Sequence, residues 1–380
     1  MSVVIAGYAR TPFARYTGAL ARVAATALGA HATRAALARA GVPAEAVQRV
    51  FAGQVLQGLA GQNPARQAAV AAGIPLSAPA TTINAVCLSG LEAVIAATDL
   101  ITSGRAEIVV AIGMESMSLA PHASRSRAGT RYGAIEMLDT LELDGLTDAF
   151  ERRSMGASTE AGNDQLGLSR ADQDAWAASS HQRAASSRSF LAGEIEAFPV
   201  RDKALDLDDG VRPETTVQGL GALRPAFSTD GTITAGNSSQ LTDGAAALVL
   251  MSETAARSRG VTPLARVLAS ATVAGPDVRL HHQPANAIRA AVRYLGAAPA
   301  DLGRIEINEA FASVAVASVD DLEVDPGIVN VHGGAIAIGH PIGASGARIV
   351  GTLARQVDGL GAAAICGGGG QGAAVILQSI

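Results

Sequence analysis

Hydrophobic and polar positions follow two regimes along the chain. Short runs rich in β-branched residues, "VVIAGY" (3–8), "VQRVFAGQVL" (47–56), "ATTINAV" (80–86) and "AEIVVAIGME" (106–115), read as strands. Between them, small-residue stretches predict a helix over 19–41, closed by Gly41 with Pro43 just beyond, and another over 88–104, ended by Gly104. From about 118 to 243 the text turns polar and irregular, rich in Arg, Ser and Asp. One clear helix stands out there, over 169–187, opened by a Ser169/Asp172 capping box. Strand-and-helix order returns with "AAALVLMS" (245–252) and runs to the final "AAVILQSI". This alternation predicts a layered α/β fold, with the polar stretch as a long insertion packed over it. The second half loosely repeats the first. Cys87 precedes the helix 88–104 and a strand at 106–115, and His340 precedes a helix at 342–357 and a strand at 361–366.

Composition narrows the class. The 380 residues are 48% apolar, 17% charged and only 3% aromatic, which suits an Ala/Gly-rich backbone in closely packed layers. The net charge of −5 argues against a general nucleic-acid binder but leaves room for a small anion held by a local arginine cluster. Two cysteines 279 positions apart form no disulfide framework, and without a C-x-x-C a structural zinc site is not expected. "MSVVIAGYARTPF" lacks the features of a signal peptide, and no apolar run is long enough to span a membrane. The expectation is a cytoplasmic, soluble protein.

Four stretches carry candidate chemistry. In "NAVCLSG" (84–90), Cys87 lies where a strand gives way to a helix; unpaired N–H groups there favour a thiolate and can receive an oxyanion, although a buried structural cysteine is the plainer reading. In "HGGAIAIGHPIGASGARIV" (332–350), His340 stands near a helix start, which lowers imidazole basicity and suits a neutral base. In "INEAF" (307–311), Asn308 reads either as a helix cap or as an amide that positions a water or substrate oxygen. In "CGGGGQG" (366–372), G-x-G-x-x-G is satisfied, but the strand-like "AAVILQSI" that follows excludes a dinucleotide site; a tight hairpin beside Cys366 is expected instead. His281 and His282 have no third ligand at metal spacing, and no G-x-S-x-G occurs.

Together, and with "DGLTDAF" (144–150), "MGASTE" (155–160), "LRPAF" (223–227) and "TAGNSSQLTDGAA" (234–246), these stretches closely resemble the thiolase family of acyl-CoA C-acyltransferases, essentially from end to end. The resemblance implies the thiolase fold: two similar five-stranded βαβαβαββ halves in five α-β-α-β-α layers with an inserted loop domain. It divides the chain into 1–117 plus about 244–262, a loop domain at 118–243 that covers the site, and 263–380. It implies that Cys87 becomes acylated, His340 deprotonates it, and Cys366 moves the α-proton. Asn308, through a water, and His340 would form one oxyanion hole; the N–H groups of Cys87 and Gly368 would form the other. Leu146, Met155, Arg212 and Ser239 are the implied coenzyme A contacts. Coenzyme A is then a substrate, no cofactor or metal is required, and a homotetramer in fatty acid metabolism is implied, with a dimer as the minimum.

Departures from the family pattern bear on specificity. Ser154 stands where His is common before "MGASTE", and His181 where relatives carry Gln near the coenzyme. "VRLHHQP" (278–284) places Leu280 and His281 where Met and Gly help line the acyl pocket. The alternatives are a non-catalytic acyl-CoA-binding scaffold on the same fold, or another Cys–His acyl enzyme such as a decarboxylating condensing enzyme. Those condensing enzymes lack a second cysteine acid/base.

Overall fold

The computed structural model describes every residue except Thr130 and Asp202. Its framework is one mixed sheet of nine main strands: β1 (Val3–Arg10), β2 (Arg49–Gly53), β3 (Ala80–Ile83), β4 (Ile108–Ser116), β5 (Thr242–Ser252), β6 (Ala265–Ala274), β7 (Leu302–Ile307), β8 (Leu360–Gly367) and β9 (Gln371–Gln378). The order across the sheet is β7-β8-β9-β6-β1-β5-β4-β2-β3, with the two-residue strand Ala14–Arg15 on β5. β6 and β1 pair over only three residues, Val3–Ile5 against Ala265–Val267, and this short seam joins two halves of the same topology.

Strand alternation creates the layers. Ile108, Val110 and Ile112 point outward to α1 (Ala25–Ala40) and α2 (Pro64–Ala71), while Val109 and Ala111 point inward to α3 (Ser89–Thr102). In the second half, Ala363 and Ile365 join the inner cluster, whereas Ala362 and Ala364 face α6 (Gln283–Arg293) and α7 (Ala312–Leu322). The middle layer is α3 packed on α8 (Ser345–Ala354). Gly90 and Gly346 allow it: a Cβ on Gly90 would meet Gly343 O at 2.7 Å, and one on Gly346 would meet Leu91 N at 2.3 Å. Five layers result, as the resemblance implies.

The halves differ in one strand. The counterpart of β3 in the second half is a single bridge, Ile305 to Val329. Asn330, at φ +47°, uses its side-chain amide in place of a further strand residue: Oδ1 accepts from Ile307 N–H at 2.8 Å and Nδ2 donates to Ile307 O at 2.9 Å.

Between Ser116 and Thr242 the elements are short, apart from α4 (Met155–Leu166) and α5 (Arg170–Ser186). Ser154 caps α4 by accepting from Ala157 N–H, and Ser169 caps α5 by accepting from Asp172 N–H. Buried ion pairs anchor this region to the core. Arg10, fully buried in β1, donates to Glu194 at 2.9 Å and to Asp208 at 2.6 Å.

Candidate active site

The turn Asn84–Ser89 carries Cys87 from β3 into α3. Asn84 Oδ1 accepts from Val86 N–H at 3.0 Å, and Ser89 Oγ accepts from Ala85 N–H at 2.9 Å. Val86 is held at φ +51°, a left-handed conformation that a β-branched residue adopts only under constraint. That kink presents the Cys87 sulfur to the N–H groups of Cys87 itself and of Gly368. Gly368 sits in the hairpin between β8 and β9, as expected from the glycine run.

Cys366, near the end of β8, is fully buried and shares an apolar cluster with Ile233, Leu280, Phe311, Val314 and Met155. Its thiol lies close enough to Cys87 for the charge of one to act on the other. Cys87 is half-buried and packs on a second cluster of Val55, Leu56, Met117, Leu141, Ile342 and Leu146. Next to them, at Val86 and Gly368, opens a cleft of about 700 Å³, walled also by Met155, Asp148, Phe150 and Leu143 among others.

Asn308 does not cap a helix. α7 begins four residues later behind Phe311, without a side-chain cap. The fully buried Asn308 amide instead faces His340, with Nδ2 3.5 Å from Nε2, and Asn308 Oδ1 has no protein partner among the described residues. His340 lies between the short helix Ala335–Ile338 and α8, with its N–H bonded to Gln240 O at 3.1 Å. Ser345 holds the far side of the ring: its hydroxyl lies 2.6 Å from His340 Nδ1 and 3.2 Å from Pro341 O. Nε2 is on the side of Asn308.

Burial governs the charges. It pushes the Cys87 thiol up to about 12; the N–H groups of Cys87 and Gly368 pull the other way and Glu115 adds to the rise. Burial, then the neighbouring Cys87, raises the Cys366 thiol as well. Burial, followed by the charge of Arg348, lowers His340 to about 3. Burial thus works against the thiolate expected at Cys87, and the N–H groups of Cys87 and Gly368 work for it; α3 itself begins two residues further on, at Ser89.

Two carboxylates brace the site, and neither was singled out from the sequence. Glu115 accepts from the N–H groups of Val55, Leu56 and Gly343 at 3.0, 3.2 and 3.0 Å, tying together the loops beside Cys87 and after His340. Glu309 accepts from Trp176 and Ser180 of α5, from Asn330 and from Ile336 N–H, clamping the insertion onto the His340 loop. A lone carboxylate near the end of the apolar strand "IVVAIGMES" was a legible signal for Glu115.

Of the coenzyme candidates, Met155 is in the cleft wall and Leu146 packs with Cys87. Ser239 N–H donates to Ala310 O at 3.1 Å, two residues beyond Asn308. Arg212 lies off the cleft wall with an exposed side chain; its N–H is held by Nδ1 of the buried His181 at 3.2 Å.

The buried ionisable groups set a pH optimum for stability. His181 and His281 are lowered to about 4 and His340 to about 3, chiefly by burial, so their contribution is complete above pH ~6.5 and is lost as pH falls toward 4. Glu115 and Glu306 are raised by burial to about 7 and about 8, so theirs is complete below pH ~4.5 and is lost as pH rises through 7 to 8. Melting temperature measured from pH 5 to 9 is expected to peak near 6.5, and Glu115→Gln is expected to flatten the alkaline decline.

Comparison with known proteins gives a consistent picture. Family models described as "Thiolase, N-terminal domain" and "Thiolase, C-terminal domain" match residues 3–254 and 261–379. A probable acetyl-CoA acetyltransferase of Mycolicibacterium smegmatis is 50% identical over 388 residues, covering 99% of this chain and 100% of the relative. An acetyl-CoA acetyltransferase of Shinella zoogloeoides is 46% identical, covering 100% and 99%. The crystal structure of human mitochondrial 3-ketoacyl-CoA thiolase in complex with CoA superposes with a TM-score of 0.95 at 36% identity, covering 100% of this chain and 98% of that one.

Proposed function

The chain belongs to the thiolase family, and from that premise we propose that it catalyses the reversible thiolytic cleavage of a 3-ketoacyl-CoA, or the Claisen condensation of two acetyl-CoA, through an acyl-cysteine at Cys87. The observation that carries this reading is the meeting of the half-buried Cys87 with the buried Cys366 and the Gly368 N–H, beside a cleft walled in part by Gly368 and Met155, while Asn308 faces His340. In thiolysis Cys87 Sγ attacks the keto carbon as its proton passes to His340 Nε2. The N–H groups of Cys87 and Gly368 stabilise the tetrahedral oxyanion. The C–C bond then breaks, leaving the acyl group on sulfur and acetyl-CoA as its enolate. His340, now carrying Nε2–H, and Asn308, through a water, stabilise the enolate oxygen while Cys366 returns a proton to the α-carbon. Free coenzyme A finally takes the acyl group by thioester exchange: its thiol proton passes to the Cys366 thiolate, and the proton held on His340 Nε2 returns to the departing Cys87 sulfur. The steps then balance.

Coenzyme A itself enters as substrate, over residues 118–243, with Leu146, Met155, Arg212 and Ser239 as its contacts. Relatives support this: a thiolase of Ascaris suum, 37% identical with a TM-score of 0.95, was solved in complex with coenzyme A. Among the described residues no helix is long and apolar enough to cross a membrane. Cytoplasmic location fits two cysteines that must stay reduced, and a role in fatty acid metabolism fits the chemistry. A homotetramer is supported by the apolar side chains left in the open at Tyr132, Ile135 and Met137, which are 98%, 56% and 57% exposed. Light scattering would check it, and a monomer would refute it.

The direct test is mass spectrometry after incubation with acetyl-CoA. One acetyl group is expected on Cys87; its absence favours the non-catalytic scaffold. Ser345→Ala should free Nδ1 and lower kcat about tenfold, the equivalent of one oriented hydrogen bond, with KM for coenzyme A little changed in steady-state assays.

A further inference from the structure

Glu306 and Arg348 take no part in the mechanism above, yet both are fully buried. Arg348 donates from Nη1 to Glu306 Oε2 at 3.1 Å, and Gln356 donates from Nε2 to Glu306 Oε1 at 2.8 Å. Arg348 Nε and Nη2 have no protein partner among the described residues. Burying a guanidinium with bare N–H groups opposes stability, and apolar side chains of similar volume would pack as well or better. The pair is thus a poor choice for holding the fold together. Its place in the fold gives it another use.

β7 is the last strand of the sheet: β8 holds one side of it, and on the other lies the bridge from Ile305 to Val329. Leu302, Ile305 and Ile307 of β7 pack outward, in the cluster of α6 and α7. The inner cluster takes residues from α8 but, among the described residues, none from β7. What β7 offers to α8 is Glu306. Asn308 lies two residues further, on the same face, and its N–H donates to Ala364 O at 3.0 Å, so it moves with the strand. On α8, Ser345, 2.6 Å from His340 Nδ1, lies three residues before Arg348. Strand and helix are therefore joined by two rungs, Glu306 to Arg348 and Asn308 to His340, about 5 to 7 Å apart. Among the described residues the Asn308 side chain has no contact to steer it except the 3.5 Å approach to His340. Its distance from the imidazole then follows the spacing of β7 and α8.

Resting on the reading of Asn308 and His340 as the oxyanion hole of the enolate, we propose that Glu306 and Arg348 are positioning residues that set the gap between the Asn308 amide and the His340 imidazole. They act on the enolate step and spare the acylation of Cys87. The first oxyanion is received by the N–H groups of Cys87 and Gly368, which lie on other elements. His340 itself is anchored apart from the pair, its N–H bonded to Gln240 O at 3.1 Å and to Thr242 Oγ1 at 3.2 Å. Only the Asn308 side of the hole is left to the pair, and a displacement of about 1 Å there costs about a hundredfold.

The test is the rate of α-hydrogen exchange of acetyl-CoA divided by the rate of Cys87 acetylation, a ratio independent of the folded fraction. Glu306→Ala is expected to lower it about a hundredfold. The double variant Glu306→Leu with Arg348→Met is expected to lower it as far while melting at or above the wild-type temperature. A pair that only held the fold together would not separate stability from chemistry in this way. Glu306→Gln keeps an acceptor for Arg348, and the unpaired Oε1 of Gln356 can turn to receive the new amide, so the wild-type ratio is expected there. An unchanged ratio in Glu306→Ala and in the double variant overturns the positioning role alone, as does a fall in Glu306→Gln as deep as that in Glu306→Ala. If the double variant does not fold, the ratio in Glu306→Ala decides. Wild-type protein that neither takes an acetyl group on Cys87 nor exchanges α-hydrogens overturns the reading of the site and this inference with it.

Discussion

Replacing Cys87 by alanine is expected to reduce acetoacetyl-CoA thiolysis by roughly four orders of magnitude or more, because the acyl group then has no protein atom to wait on. Cys87→Ser should be nearly as poor. An alkoxyl oxygen is harder to ionise than sulfur, and a site whose burial already holds the thiol at about 12 offers it no help. The measurement is single-turnover release of acetyl-CoA together with a search for acylated protein. Residual turnover within tenfold of wild type would remove Cys87 from the reaction and the covalent scheme with it.

Cys366→Ala is expected to separate the two halves of the chemistry. Thiolysis should fall by about 10²- to 10⁴-fold, the usual worth of a positioned proton donor. Exchange of acetyl-CoA α-hydrogens for deuterium should vanish, while acylation of Cys87 continues, since thioester exchange needs no α-proton. Proton exchange at the wild-type rate would show that another group holds that role, and the neighbouring Asn308–His340 pair would be the first to examine. The fully buried Cys366 packs among apolar side chains, so the exchange assay, not activity alone, separates a chemical effect from a packing one.

The layered core was readable because its strands are apolar on both faces and its helices are closed by glycine or proline. β4 and β5 are buried along their whole length. Element ends were less legible. The first helix starts at Ala25, not near residue 19, because residues 20–24 are spent in turns. The missing fifth strand of the second half was hidden, since nothing in "IVNV" announces that the Asn330 side chain will do a strand's bonding. At the site, residue types were legible and their electrical state was not. Whether Cys87 is a thiol or a thiolate depends on how much protein surrounds it, and that is a property of five layers closing together. Ser345 was hidden for the opposite reason: it is one small hydroxyl in a run of small residues, and only the folded loop brings it within 2.6 Å of His340 Nδ1.

The burial around Cys87 has a consequence beyond turnover. Peroxide and similar oxidants attack sulfur as the anion, the form that burial disfavours here. The same packing that opposes ionisation of this thiol therefore also slows its oxidation.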